Sequence, residues 1–154
     1  MNEPGDADIE IDSAPPAEPA SCPECGATPV DGVGCRGMLG RLLAWEVDDP
    51  ELAAAHFLTV ASYNVQHPAW FTDDAITGLR SMLVDALDRH APPSALRRRA
   101  GRMFAGKSRV RRDPSERQPV LRRWDTTVHD VVAPGPVGAA MRVRAWASAI
   151  RREL

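Results

Sequence analysis

The chemistry this chain of 154 residues can offer lies almost entirely between Cys22 and His67. Cys22-Pro23-Glu24-Cys25-Gly26 has the form of a thiolate knuckle. Two sulfurs bracket a tight turn, and the glycine after the second frees the backbone so that amides can point at sulfur. Cys35 follows across Pro29, Asp31, Gly32 and Gly34, all turn formers. Three thiolates this close in sequence fit a tetrahedral zinc site that lacks one ligand. The same residues also suit a redox dithiol at Cys22 and Cys25, with Cys35 a small buried hydrophobe.

Two histidines compete for the fourth position, both in the run LAAAHFLTVASYNVQHPAWFT, which holds no Asp, Glu, Lys or Arg. If the helices on either side of Asp48-Asp49 form an antiparallel hairpin, Cys35 comes level with Ser62 or Tyr63. His67 then lies about 7 Å past that level, on the knuckle's side, and His56 a similar distance toward the turn. His67 is the better fourth ligand and His56 the alternative. On a helical wheel His56, Thr59, Tyr63, Gln66 and His67 form a stripe opposite Ala54, Phe57, Leu58, Ala61 and Val65. A polar face without charge is expected to be shielded, its groups paired to one another, to a metal or to a ligand. Glu46 falls on the apolar face of the preceding helix, within reach of His56. That pair reads as a buried ion pair, as the orienter of a metal-bound imidazole, or as the start of acid–base chemistry. Glu46, His56 and Tyr63 are therefore the candidate catalytic residues, lining a pocket in an enzymatic reading.

The elements that must position these groups are helical. From Arg36 onward the apolar spacing has the period of a helix, and no segment alternates as a strand would. The fold class is mainly α, a small helical bundle with an N-terminal zinc-knuckle-like loop. Residues 1–20 read as a disordered, acidic, Pro-rich tail and 21–154 as a single domain. Within it, 21–35 form the knuckle and 36–66 a hairpin whose second helix runs unbroken from Pro50 until Pro68 stops it. Residues 72–105 hold helices three and four, with Thr72 capping the third. Residues 106–126 make a basic loop with a short extended piece at Pro119-Val120-Leu121. Residues 127–154 supply the C-terminal helices, opened by the capping-box spacing Thr127 to Asp130. Ala139, Val143, Trp146, Ala147 and Ile150 share one face of the last helix, with Arg142, Arg144 and Arg152 turned elsewhere.

The series CPECG, a third cysteine, LLAWE-x-x-DP and HFLTV-x-x-Y-x-x-QHP resembles a bacterial family of unknown function, marked by a CPxCG knuckle and an HxLTVxxYxxQHP helix motif. The resemblance spans residues 21–153 and is most specific in HFLTVASYNVQHP. It implies no activity. It does imply that Cys22, Cys25, Cys35, Glu46, His56, Tyr63, Gln66 and His67 are the positions of interest.

Charge is distributed unevenly. Residues 1–20 hold six acids and no base, whereas 97–123 hold eleven of the nineteen Lys and Arg. Arg97, Arg98, Arg99, Arg102, Arg109, Arg111 and Arg112 would contact phosphates of a nucleic acid, or a small anionic ligand, if they shared a surface. Few aromatics and a pI near 6.1 argue against nucleic acid. No basic-then-apolar leader and no uninterrupted apolar span is present, so a cytoplasmic protein without membrane partners is expected. The sequence favours a zinc-stabilised binding or regulatory module. The alternatives are a metal-dependent hydrolytic or transfer enzyme and a nucleic-acid-binding protein.

Overall fold

The computed structural model describes residues 20–105 and 109–154, and the fold is mainly helical. The acidic tail expected over 1–20 lies outside these residues except for Ala20, as does Lys107. The α-helices are α1 (Cys35–Trp45), α2 (Pro50–Ala54), α3 (His56–Val65), α4 (Asp73–Asp88), α5 (Pro93–Phe104), α6 (Val128–Val132) and α7 (Ala139–Glu153). Single 3-10 turns stand at Pro68–Trp70 and Pro114–Glu116. Among the described residues, no helix is long and apolar enough to cross a membrane.

Helix α3 lies between α4 and α7, while α1 packs on α6 and α6 on α7. Met38, Leu42, Leu52, Val65, Met82, Leu83, Val128, Val131, Trp146 and Ile150 form the fully buried centre. Local chemistry explains where the helices start. Asp49 accepts the amides of Glu51 and Leu52, Thr72 accepts that of Ala75, and Thr127 and Asp130 close a reciprocal capping box.

One expectation needs correction. The second helix of the hairpin is not continuous, because it bends at Ala55 (φ −89°, ψ 7°), which separates α2 from α3. The Ala55 carbonyl takes the Thr59 amide at 3.0 Å and its hydroxyl at 3.4 Å, a double load that bends helices. Residues 119–121 lie outside any helix or strand, with Val120 and Leu121 exposed. Arg142, off the apolar face of α7, is half-buried, and its guanidinium donates to the carbonyls of Val131, Gly135 and Val137. Those acceptors lie at or beyond the end of α6, where backbone carbonyls lack helical partners.

A buried polar link joins α3 to α7. Gln66, 1 % exposed, accepts from Trp146 Nε1 at 3.1 Å and donates to the Thr126 carbonyl at 2.8 Å. At the surface, Arg151 grips Asp88 with two nitrogens and ties α7 to α4, holding the Asp88 carboxyl below the usual range. Replacing Gln66 by Leu keeps the volume but orphans a buried indole N–H and a carbonyl. The Gln66→Leu protein is expected to lose roughly 2–4 kcal/mol of stability, read as a lower midpoint in urea unfolding with an unchanged slope.

Candidate metal centre

The knuckle is shaped by its own backbone. The Cys22 amide donates to the Ala27 carbonyl at 3.0 Å and the Gly26 amide to the Cys22 carbonyl at 2.9 Å. Gly26 takes φ +75°, which a side chain would resist. A two-residue turn follows, in which Val30 and Val33 pair across Asp31 (φ 50°) and Gly32 (φ 73°). Positive φ at both central residues is the tight hairpin geometry that Asp-Gly favours. The reversal sets Gly34 as the cap of α1 and Cys35 as its first residue. Unpaired amides and the positive end of the helix dipole there offset part of the repulsion among the sulfurs.

His67 arrives from the other side. Pro68 disfavours helical backbone at the preceding residue, and His67 leaves α3 with φ −126° and ψ 57°. Its Nε2 lies 3.4 Å from Cys22 Sγ and 3.2 Å from Cys35 Sγ, and Cys25 Sγ lies 3.6 Å from Cys35 Sγ. All four donor atoms fall within 4.8 Å of one another. The Nδ1–H donates to the Tyr63 carbonyl at 2.5 Å, which fixes the ring and leaves Nε2 facing the sulfurs. The Tyr63 ring stacks on the imidazole at 4.0 Å, and its Oη stands 3.8 Å from Cys35 Sγ. Three cysteines and a histidine are thus placed to bind a metal ion, with all three thiols free.

The electrostatics of the cluster follow from crowding like charges. Hydrogen bonds from Cys25 and Cys35 pull the Cys22 thiol far down, whereas hydrogen bonding to Cys22 and Cys25, together with burial, pushes Cys35 far up. Burial disfavours a charged His67, but hydrogen bonds to the Cys22 and Cys25 sulfurs and to the Tyr63 carbonyl outweigh it and raise the imidazole to about 10. Burial, then the neighbouring Cys35, keeps the Tyr63 phenol neutral, its oxygen placed to accept from the Cys35 thiol. Without a cation the cluster must hold protons, since three anionic sulfurs cannot share so small a space.

The polar stripe on α3 divides. Thr59, Gln66 and His67 are buried and Tyr63 is half-buried, but His56 is exposed, with 57 % of its side chain accessible. His56 sits with Glu46, its Nδ1 2.8 Å from Oε2, at the turn end of the hairpin and away from the sulfurs. The second carboxylate oxygen of Glu46 is buried with no partner among the described residues. Tyr63 borders a 430 Å³ cleft with Cys22, Cys35 and His67, while His56 borders a separate 310 Å³ cleft with Phe57, Leu96 and Arg97. Glu46 lines neither, so the three candidate catalytic residues do not share a pocket. The hairpin is short and His56 lies beside its bend, too far along the axis to meet Tyr63.

The basic segment is not a single free surface. Arg99 pairs with Asp85 and Ser81, Arg109 with Asp113 and Glu116, and Arg112 with Asp73 and the Phe71 carbonyl. Arg97, Arg98 and Arg102 are exposed on α5. Arg111 is drawn to the metal centre: the Thr72 amide donates to the Val110 carbonyl and the Arg112 amide to the Trp70 carbonyl, strapping this segment beside the turn that follows His67.

Two contributors escaped the sequence reading. Glu24 is buried inside the knuckle, its Oε1 accepting the Ala69 amide at 3.0 Å and its carbonyl the Arg122 amide at 2.8 Å. A carboxylate on a turn between two cysteines, otherwise repelled by thiolates, was the available signal. Trp70 is packed by Arg117 at 3.9 Å and by Arg36 at 5.2 Å, contacts between residues far apart in sequence.

A model of the family of unknown function DUF5946 matches residues 20–154, and the chain belongs to that family. Neither a curated protein nor a solved structure matches it.

The contacts around His67 predict two measurable effects. Tyr63→Phe retains the stacked ring but removes the O–H beside Cys35, so metal affinity is expected to fall roughly tenfold in chelator competition. Metal binding must displace the protons held by His67 and Cys35, so lowering the pH favours the metal-free form. At pH 7 binding is expected to release protons, seen as a buffer-dependent heat in titration calorimetry.

Proposed function

We propose that this member of DUF5946 is a zinc-stabilised binding or regulatory module in which Cys22, Cys25, Cys35 and His67 hold the ion. The observation that carries the reading is the convergence of three sulfurs and one imidazole nitrogen from the knuckle, the start of α1 and the end of α3. Sulfur and imidazole donors at this spacing suit zinc, which takes four such ligands without preference from d-electrons. Four protein ligands leave no open coordination position, which favours a structural over a catalytic ion. The separation of Glu46 and His56 from Tyr63 supports the same choice.

The role of each residue follows from its position. The ion would bind the knuckle to the open end of the hairpin, adding to the packing of Ala27, Val30 and Val33 against the core. Glu24 and Tyr63 orient that junction, and the exposed arginines of α5 offer a surface for an anionic partner.

Metal analysis of the purified chain is expected to find about one zinc per molecule. His67→Ala is expected to lose the zinc together with cooperative unfolding. A wild-type protein with no metal near one equivalent overturns the proposal. Retention of both zinc and fold by His67→Ala would remove His67 from the ligand set.

A further inference from the structure

We propose that the 430 Å³ cleft beside the metal cluster is a binding site for a small organic anion with an apolar, planar body. The inference rests on the metal reading above, because Cys22, Cys35 and His67 form one of its walls.

The volume is that of a small-molecule site. Half-buried Leu39, Trp70 and Phe71 line it, an apolar and aromatic surface left partly open to water. The Trp70 ring is held by Arg117 at 3.9 Å, which does not line the cleft, and by Arg36 at 5.2 Å, which does, so ring and guanidinium form one wall of it. A flat aromatic wall already held by packing can take a planar ligand at little entropic cost.

Charge selects the ligand. Arg36, on the first turn of α1, and Arg111, on the strap beside the His67 turn, both line the cleft and are exposed. Among the described residues neither guanidinium is paired with a carboxylate, whereas Arg99, Arg109, Arg112 and Arg151 all are. Glu24 also borders the cleft, but one of its carboxylate oxygens already accepts the Ala69 amide. The two arginines come from elements joined only by tertiary structure, and they offer fork-shaped donors that match a carboxylate, sulfonate or phosphate. An aromatic body against Trp70 and Phe71 with its anionic group between Arg36 and Arg111 satisfies both halves of the wall.

The test uses the full chain, with zinc content assayed on the same sample. The probe is 1-anilinonaphthalene-8-sulfonate, an aromatic sulfonate that fluoresces in apolar surroundings. A single saturable site is expected, weakened roughly tenfold or more by Arg36→Gln and by Arg111→Gln. The uncharged N-phenyl-1-naphthylamine is expected to be indifferent to both changes. Displacement by benzoate or by phenyl phosphate supports the site and identifies the headgroup it prefers. The absence of saturable binding by protein carrying its metal overturns the inference. So does binding of the sulfonate that is as tight in both variants as in wild type, which would leave an apolar groove without anion selectivity. A sample without metal counts against the zinc reading instead, and the assay separates the two failures.

Discussion

Three sulfurs and one imidazole nitrogen brought within 4.8 Å of one another set the terms for the rest of this molecule. Like-charged thiolates at that spacing repel strongly in a half-buried site, so the cluster is stable only with protons retained or a cation bound. The groups come from a loop, the first turn of one helix and the residue after the end of another. Whatever holds them together therefore holds the knuckle onto the hairpin. Every device around the cluster serves this convergence: positive φ at Gly26 and Gly32, the proline after His67, and the Tyr63 carbonyl that fixes the imidazole ring.

The bundle beneath handles its polar interior unevenly. Gln66 has both ends paired, to Trp146 and to the Thr126 carbonyl, and acts as a specific pin between α3 and α7. Ser62 Oγ and Trp124 Nε1 are buried without partners among the described residues. Paired groups of this kind fix which faces meet, because any other arrangement would strand them. The apolar stripe of α4, from Ala75 to Leu83, needs no such direction and fills the space between α3 and α5.

Arginine density alone misleads here. In sequence, the segment from Arg97 to Arg123 looks like one cationic surface. In space, Arg99, Arg109 and Arg112 are paired with Asp85, Asp113, Glu116 and Asp73, and one stretch serves as a strap across the turn after His67. What remains open is local: exposed guanidiniums on α5, and Arg36 with Arg111 beside the cluster.

The sequence by itself determined the helical class, the caps at Asp49, Thr72 and Thr127, and the set of residues able to form a metal cluster. These are local matters, set by periodicity, by capping chemistry and by the short reach of a knuckle. It could also place Glu46 near His56, because a short connection fixes the register of two helices. Only the tertiary structure decided that His56 stands apart from the sulfurs, that Gln66 turns to α7, and that Glu24 closes the knuckle onto Ala69. Helical projection assigns a face but not a neighbour, and His56, at the first residue of α3, stands about 10 Å along the axis from Tyr63. The cleft between Arg36 and Arg111 was beyond the sequence for the same reason. Its walls lie far apart along the chain, and nothing local records that packing brings them together.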